Sequence, residues 1–593
     1  TLPSGGSLST DRVSFDVNTP VPSLATGAAV RTEFVDQQGG APGRQFVEND
    51  RWGVAPSVAV GLGTSTRAIA TYEHLYEHNL PDYGLPSTVL PGYAPAAMPS
   101  YYSPGADFSN YYGFVDFDYE RVTNDAAELR LEHDFARNIK AANQTRYDVT
   151  SRKVEASAPS ASVTVAPPGE AGISQGIYQT KNTILSNQTN VSASVDTGPV
   201  SHSITSGLEL SRESAVNPTW AVTDPGVPNP NYLVSIYAPQ DFPSALTNYD
   251  PHLTGTKTEA RIDTASLYAF DTAKVGKKWE VVGGVRVERY DANELSVTAA
   301  LPAVKASPAL PGVAGAPATA PVAAAVAVPA SKIDLSSART DASWKAGLVY
   351  KPEPSGTLYA SYDTSVRPPG TSAYTNTLST TTTSADDPVL EPERAVNCEA
   401  GVKWEFLDDH LLASAAAFRS VNSNVPAADP VSGIVNQSSD QTVEGVEFGL
   451  AGNITKEWMV FAGYAHMHAQ VSAEISTNAQ GLTLPLLPSD SGSLWTTYAL
   501  PHGVTLGGGV QYMGPTERLQ ATNAPAATTF SNGVPDYWLL GAMVSWQADR
   551  HLTLRLNVNN IADRTYVASL NNNGYRLNLG TPRTVMLSAE LKY

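Results

Sequence analysis

Apolar and polar side chains alternate residue by residue, in segments of about 10 residues that recur along the whole chain, and no other feature constrains the fold as strongly. The final segment shows the pattern best: Val585, Leu587, Ala589, Leu591 and Tyr593 alternate with Thr584, Met586, Ser588, Glu590 and Lys592. The same alternation runs through residues 552–559 and 12–17. Because successive side chains of a strand point to opposite faces of a sheet, the chain is predicted to form β-strands with one apolar and one polar face.

Soluble β-sandwiches and transmembrane barrels both use such strands, and the composition favours the barrel. Charged residues make up 16% of the chain, against about 25% in an average soluble domain. Tyr, whose amphipathic ring suits a membrane–water boundary, outnumbers Phe by 27 to 14. The sequence has no run of about 20 apolar residues and therefore offers no transmembrane helix. Long strands whose polar face carries charges favour a barrel with its apolar face toward lipid and its polar face toward the lumen.

The connections between strands alternate in length through the second half of the chain. The short ones are residues 351–356, 407–410, 453–457, 501–503 and 547–550, and the long ones are residues 368–393, 421–440, 471–491, 514–535 and 561–582. Outer-membrane barrels place short turns on the periplasmic side and long loops outside the cell. The sequence therefore predicts an all-β fold: a transmembrane antiparallel β-barrel of the Gram-negative outer membrane, with both chain ends near the periplasmic rim. By the same parity, the Ala- and Pro-rich stretch Leu301–Ala330 is extracellular.

Charge and motif content exclude several functions. The net charge of −19 argues against nucleic-acid binding, which requires basic patches. A single cysteine excludes an internal disulfide. No nucleophile–base, phosphate-loop or zinc-ligand motif is present, so we expect no catalytic site and no cofactor. His74 and His78 share a strand face, but we favour a polar loop entrance over a metal site there.

Several segments, in a consistent order, resemble TonB-dependent receptors of the outer membrane. The resemblance is carried by Leu390–Phe406 (LEPERAVNCEAGVKWEF), Glu444–Trp458, Asp263–Thr272, Val281–Asp291, Val558–Ser569 and Gly580–Tyr593 (GTPRTVMLSAELKY). Residues 187–210, with His202, resemble the siderophore-receptor branch. Arg51–Thr64 (RWGVAPSVAVGLGT) and His78–Pro86 (HNLPDYGLP) resemble its catecholate-type subgroup. The resemblance implies about 22 strands. Our own segment count is 21 or 22, because Thr1–Ser9 is a poor strand.

The chain also departs from that family. Family members begin with a plug domain that carries the TonB box and fills the lumen, and no such motif occurs in this sequence. The chain also begins without a leader segment, so we expect a processed or truncated protein whose residues 1–593 form the barrel portion alone. A plug from the same precursor, or another polypeptide, would then occupy the lumen.

The resemblance implies a receptor that takes up a ferric siderophore of the catecholate type, energised through TonB by way of the plug. The remaining partners would be outer-membrane lipid and lipopolysaccharide. The alternative is a plugless barrel that acts as a surface scaffold or passive pore. The sequence encoded upstream of Thr1 discriminates between them, because a TonB box and plug there support the transporter.

Ferric catecholates are anionic and carry flat aromatic rings, so Tyr side chains can stack on them and Arg side chains can bind the charge. On the predicted outer loops the candidate ligand-binding residues are Tyr83, Tyr93, Tyr101, Tyr102, Tyr111, Tyr112, Arg121, Arg212, Arg367, Arg518 and Arg576. The alternative for the tyrosines is a place at the membrane interface. Girdle anchors are predicted at Trp279, Trp404, Trp495, Trp538 and Trp546.

Overall fold

A computed structural model describes residues 10–90, 102–159, 169–222, 232–240, 249–300, 329–368, 390–428, 435–473, 481–517, 533–571 and 574–593. Regular structure in these residues is β-strand apart from two 3-10 helices, Ser87–Val89 and Pro501–Gly503. None of the helices in this part of the chain is long and apolar enough to cross a membrane.

The strands of the first half are β1 (Thr10–Pro20), β2 (Ala29–Gly39), β3 (Asn49–Val60), β4 (Thr66–Asn79), β5 (Leu85–Pro86), β6 (Tyr119–Ala136), β7 (Ile139–Pro159), β8 (Glu170–Thr197), β9 (Val200–Ala221), β10 (Tyr232–Ser235), β11 (His252–Val275) and β12 (Trp279–Thr298). Those of the second half are β13 (Ser331–Tyr350), β14 (Gly356–Arg367), β15 (Glu393–Phe406), β16 (Leu411–Ala428), β17 (Val435–Asn453), β18 (Trp458–Ala473), β19 (Asp490–Ala499), β20 (Val504–Met513), β21 (Thr516–Glu517), β22 (Gly533–Val534), β23 (Tyr537–Gln547), β24 (Leu552–Asn559), β25 (Val567–Leu570), β26 (Arg576–Leu579) and β27 (Thr584–Leu591).

One sheet of 22 strands includes the wall of the barrel. Twenty-one long strands form the wall, and each pairs antiparallel with the next long strand along the chain, from β1–β2 to β24–β27. The remaining strand, the short β10, pairs with the outer end of β8. This up-and-down order satisfies backbone groups between neighbouring strands, as a wall in contact with lipid requires. The prediction of an antiparallel barrel of about 22 strands is confirmed.

The described sheet has two edges. Within the described residues β1 pairs only with β2, and β27 only with β24. The lipid-side residue Leu587 of β27 is accordingly 75% exposed, whereas Leu556 on the neighbouring strand is 40% exposed. Both edge strands run toward the periplasm, so a strand between them would run the opposite way. Residues 1–9 precede β1 and lie outside the described part of the chain, and the predicted place of Thr1 at the periplasmic rim stays a prediction.

The alternation of short turns and long connections predicted for the second half of the chain is confirmed except at residues 421–440. The tightest turns, Arg137–Asn138 and Gly198–Pro199, join β6 to β7 and β8 to β9. Gly198 adopts φ 65°, a left-handed conformation that such two-residue hairpins favour. The predicted loop 421–440 is largely wrong, because β16 continues to Ala428 and β17 begins at Val435. Strands here extend beyond the lipid, where the wall no longer needs an apolar face.

The ladder register separates two faces of the wall. Leu556 lies opposite Val544 and Leu587, whereas Arg555 lies opposite Ser545 and Ser588. Apolar residues therefore pair with apolar residues on the lipid side, and polar residues share the lumen side, as predicted.

The prediction that five Trp residues are girdle anchors at the membrane interfaces holds in part. Trp279, Trp404, Trp538 and Trp546 lie on the lipid face near strand ends. Trp495 was wrongly predicted to lie there. It lies opposite Gly509 on the lumen face, and a Cβ on Gly509 would come within 2.4 Å of its ring. The small Gly partner leaves room for the indole on that side.

Candidate ligand-binding mouth of the barrel

Segments from several outer loops pack together at the extracellular end of the barrel and form a core of their own, which we call the cap. Its buried residues are Leu85, Val89, Tyr112, Phe114, Ala171, Ile173, Tyr232, Val234, Ile236, Val534, Val567, Leu570 and Leu577. Burying one large apolar side chain contributes about 1.5–3 kcal/mol. A cluster of this size can hold loops from distant parts of the chain in one arrangement.

A three-stranded sheet within the cap, in the order β25–β26–β5, brings two candidate ligand residues together. The register places Arg576 opposite Pro86 and Leu577 opposite Leu85. Gly84 precedes β5 with φ 89°, and a Cβ there would meet the Leu577 carbonyl oxygen at 2.3 Å. Only glycine fits this close approach without strain. The turn fixes the neighbouring residue, Tyr83, against β26.

Tyr83 and Arg576 were both predicted to bind ligand, and the structure places them side by side. The guanidinium carbon of Arg576 lies 5.3 Å from the centre of the Tyr83 ring and 6.0 Å from that of Tyr575. These are cation–π distances. Among the described residues Arg576 has no carboxylate within ion-pair distance. Burial raises the pKa of Tyr83, so its phenol stays neutral at physiological pH.

Arg152 on β7 extends this group, and it was missed at the sequence level. Burial dominates the pKa of the Tyr83 phenol, and the nearby charge of Arg152 lowers that pKa while Tyr178 and Glu120 raise it. The Nε of Arg152 donates to Glu120 Oε1 at 2.7 Å. The mouth therefore holds aromatic rings, one arginine without a carboxylate partner and a second arginine paired with one. Counting residue parity along β7 would have placed Arg152 on the lumen face.

Tyr111 and Tyr112 were predicted to bind ligand, but their side chains lie inside the cap, 1% and 2% exposed. Tyr111 Oη donates to Asp118 Oδ2 at 2.7 Å, and Tyr112 Oη donates to the Ile236 carbonyl at 2.7 Å. Burial raises the pKa of Tyr112 to about 12 and raises that of Tyr111 still further. Ligand contact stays a prediction for both, and their burial favours a structural role.

Asp118 is a buried carboxyl group at the base of the cap. It accepts hydrogen bonds from Tyr111 Oη, from Ser157 Oγ at 2.7 Å and from the Phe114 amide at 3.0 Å. Loss of water around the carboxylate raises its pKa to about 6, and these hydrogen bonds counteract only part of the effect.

The remaining candidate arginines and tyrosines are dispersed. Arg121 and Arg212 lie on the outward face of the wall, in register with His78 and Leu185. Arg367 lies at the outer end of β14, 3.5 Å from Glu393. Tyr102 is exposed at 36%. The last three candidates, Tyr93, Tyr101 and Arg518, lie outside the described residues.

The histidines singled out in the sequence lie on the outward face. His74 Nδ1 is 2.8 Å from Asp125 Oδ1, and His78 lies opposite Arg121. The described residues contain no group of three or more His, Cys, Asp or Glu side chains that could hold a metal ion.

Comparison with known proteins agrees with this architecture. Residues 18–561 match the sequence profile of the family described as TonB dependent receptor-like, beta-barrel. The catecholate siderophore receptor Fiu of Escherichia coli K12 is 33% identical over 579 residues, which cover 95% of this chain and 72% of that protein. The probable TonB-dependent receptor BfrD of Bordetella pertussis is 31% identical, with 96% of this chain and 74% of that protein covered.

Solved structures show the same barrel. The crystal structure of the ferric-catecholate import receptor Fiu from E. coli K12, in its closed form, superposes with a TM-score of 0.82 at 31% identity. The match covers 98% of this chain and 80% of that one. These relatives are receptors of the outer membrane and not enzymes. The chain is likewise an outer-membrane β-barrel without catalytic function, and it belongs to the family of TonB-dependent receptors.

Proposed function

We propose that the chain captures a ferric siderophore of the catecholate class at its extracellular mouth and conducts it across the outer membrane. The observation that carries this proposal is the pairing of Tyr83 with Arg576 within the cap, with Arg152 close by. A ferric tris-catecholate is a flat-faced anion, which an aromatic ring and an unpaired guanidinium both suit. The similarity to a receptor named for catecholate siderophores supports the same ligand class.

Uptake against a gradient requires energy, which we propose reaches the barrel through TonB and a plug in the lumen. The lumen face carries charged groups, such as Arg67 beside Glu132 at 2.9 Å and Asp134 at 2.8 Å, and a polar plug surface would suit this face. We propose that the plug comes from the same precursor or is another polypeptide.

The ligand proposal is tested with the iron(III) complex of 2,3-dihydroxybenzoate, titrated against the purified chain in detergent while tryptophan fluorescence is followed. Arg576→Ala should weaken binding at least about tenfold, which corresponds to about 1.4 kcal/mol. Tyr83→Ala should weaken it as well. Arg583→Ala is the matched control, because this arginine lies in the same outer loop but beside Asp563 at 3.5 Å. Equal affinities in all variants, or equal binding of a ferric hydroxamate, would refute the proposal.

Conductance distinguishes a receptor barrel that lacks its plug from the scaffold alternative. Reconstituted alone in a planar bilayer, a receptor barrel without its plug should conduct as a large, weakly selective pore, because a barrel of this strand number is too wide for side chains to fill. Small and strongly selective currents would mean that the barrel's own loops seal it. That outcome would favour the scaffold.

A further inference from the structure

The lumen side of the wall is charged on some strands and uncharged on others. Glu128 on β6 lies opposite Arg146 on β7. Arg286 on β12 pairs with Glu209 at 3.0 Å and with Glu288 at 2.7 Å. In the part of the chain that the structure describes, the lumen faces of β18, β19, β20 and β23 carry no Asp, Glu, Lys or Arg. We call these four neighbouring faces the charge-free strip.

The register arranges the charge-free strip in rows that run across the four strands. Small side chains alternate there with aromatic rings and thioethers. From the outer end, the rows are Ala465–Ser491–Met513–Tyr537, Gly463–Ser493–Gln511–Leu539, Phe461–Trp495–Gly509–Gly541 and Met459–Thr497–Gly507–Met543. A Cβ on Gly463 would meet no atom within 4 Å. The strip is therefore a shallow groove along the wall, open to the lumen at Gly463.

The indole of Trp495 lies flat on a floor of glycines within this strip. A Cβ on Gly507 would come within 2.9 Å of the ring, and a Cβ on Gly541 within 3.5 Å, in addition to the close approach at Gly509. Because glycines on two neighbouring strands lie under one face of the indole, its other face is turned to the lumen. Phe461, opposite Trp495, is 49% exposed. The strip thus offers aromatic surface to a flat partner in the lumen.

A cavity of about 610 Å³ connects the strip with the cap. Its lining includes Gly463 of the strip and the rings of Tyr537 and Tyr566, whose centres are 4.4 Å apart. Tyr566 directly precedes β25, which belongs to the same three-stranded sheet as Arg576. The charged lining residue, Glu447, lies on β17, outside the strip. The cavity has the volume of an ordinary small-molecule site and begins next to the sheet that holds the capture residues.

Charge favours this side of the lumen for the passage of an anion. Carboxylates such as Glu209 repel a ferric catecholate, and arginines such as Arg146 attract and retain it. A route that conducts a ligand must hold it weakly enough to release it. The charge-free strip neither repels nor traps the anion, and the thioethers of Met513 and Met543 make favourable contacts with aromatic rings.

We propose that the ligand crosses the lumen along the charge-free strip, where one of its catechol rings stacks on the indole of Trp495. The inference rests on the proposed function, because it requires a flat aromatic anion that is first captured at Tyr83 and Arg576. Aromatic rings attract each other in offset-stacked arrangements, and the glycine floor holds the indole in the plane that such stacking needs. Trp495 is accordingly a ligand contact within the barrel.

Protection of an introduced thiol tests the proposal in the detergent-purified chain. Cys398→Ser removes the single cysteine, and Gly463→Cys then places one in the strip where a side chain has room. With the iron(III) complex of 2,3-dihydroxybenzoate at about ten times its dissociation constant, labelling of this thiol by N-ethylmaleimide should slow about tenfold. Gly347→Cys is the matched control, because Gly347 faces the lumen on β13 beside Lys345 and a Cβ there meets its nearest atom at 3.5 Å. Its labelling rate should not change.

Variants of Trp495 separate stacking from mere occupation of the lumen. In the Gly463→Cys background, Trp495→Ala should raise the ligand concentration for half-maximal protection up to about tenfold, as expected for one stacked aromatic pair. Trp495→Phe keeps a ring and should lose much less. A ferric hydroxamate, which lacks aromatic rings, should protect neither thiol.

Each outcome decides the question. Binding at the mouth without protection of the Gly463→Cys thiol overturns the strip proposal and leaves the proposed function standing, whereas loss of binding at the mouth removes both. Equal protection at Gly347→Cys, or unchanged protection in Trp495→Ala, also overturns it. A Gly463→Cys thiol that is unreactive without ligand would mean that the chain itself covers the strip, which contradicts the proposal. Heat-modified migration in gel electrophoresis confirms that each variant is folded before it is compared.

Discussion

The buried carboxyl group of Asp118 should make the cap more stable at acidic pH. Its pKa is raised from 3.8 to about 6 in the folded cap, whereas an opened cap would expose the group to water and return the pKa to its ordinary value. The folded state therefore holds the proton more tightly. The stabilisation is fully present below pH 3.8 and is lost as the pH rises through about 6.

The size of the effect follows from the two pKa values. The rise in the pKa of Asp118 from 3.8 to about 6 corresponds to about 3 kcal/mol over the full titration. Between pH 5 and pH 7.5 the free energy of opening the cap falls by about 1.4 kcal/mol, which changes the opening equilibrium about tenfold. Hydrogen exchange of the Phe114 amide, which donates to Asp118 Oδ2 at 3.0 Å, reports this equilibrium directly. After correction for intrinsic rates, its protection should be about tenfold lower at pH 7.5 than at pH 5.

Two variants separate Asp118 from other titrating groups. Asp118→Asn removes the ionisable group and should abolish the difference between the two pH values. Glu391 lies in another outer loop, where a hydrogen bond from Arg339 holds the pKa of its carboxyl below its usual range. Glu391→Gln should therefore leave the pH dependence unchanged. The reasoning fails if protection is equal at both pH values, or if Asp118→Asn keeps the full difference.

Three further predictions concern the wall and the cap. Leu556→Arg places a charge on the lipid face and should cost about 2–4 kcal/mol if the site lies near the midplane, whereas Asn557→Arg, on the lumen face, should cost much less. Folding titrations in lipid measure both, and equal costs would refute the assignment of faces. Gly509→Leu would press a side chain against Trp495 and should cost about 1–3 kcal/mol in the same titrations, and unchanged stability would contradict that contact. Tyr111→Phe removes a hydrogen bond to a buried carboxyl group and should destabilise the cap by about 1.5–3 kcal/mol, measured by hydrogen exchange; unaltered protection would contradict it.

The wall could be predicted from the sequence because lipid imposes one rule on every strand. Alternation places Leu556 and Leu587 on one face and Arg555 on the other, and the ladder register pairs them in that way. Where the wall extends beyond the membrane, its strands need no apolar face, and alternation no longer identifies them. Residues 421–428 therefore resembled a loop although they continue β16. Trp495 is an exception to the rule that large apolar side chains face lipid. Gly509 on the neighbouring strand leaves room for its ring on the lumen side.

The site could be predicted only where parity or neighbouring sequence determines which way a side chain points. Counted from the turn at Gly198, residues 208, 210 and 212 share one face of β9, so the sequence already places Arg212 beside two lipid-side leucines.

No such count applies to the cap. Tyr112 is buried by contacts with the distant Ile236, and Tyr83 meets Arg576 only because β5 pairs with β26 near the other end of the chain. Residue type suggested a role for all of these side chains. Strand parity shows which face a side chain lies on, and so tests that role, only within the wall. In the loops that role depends on which distant segments share a core.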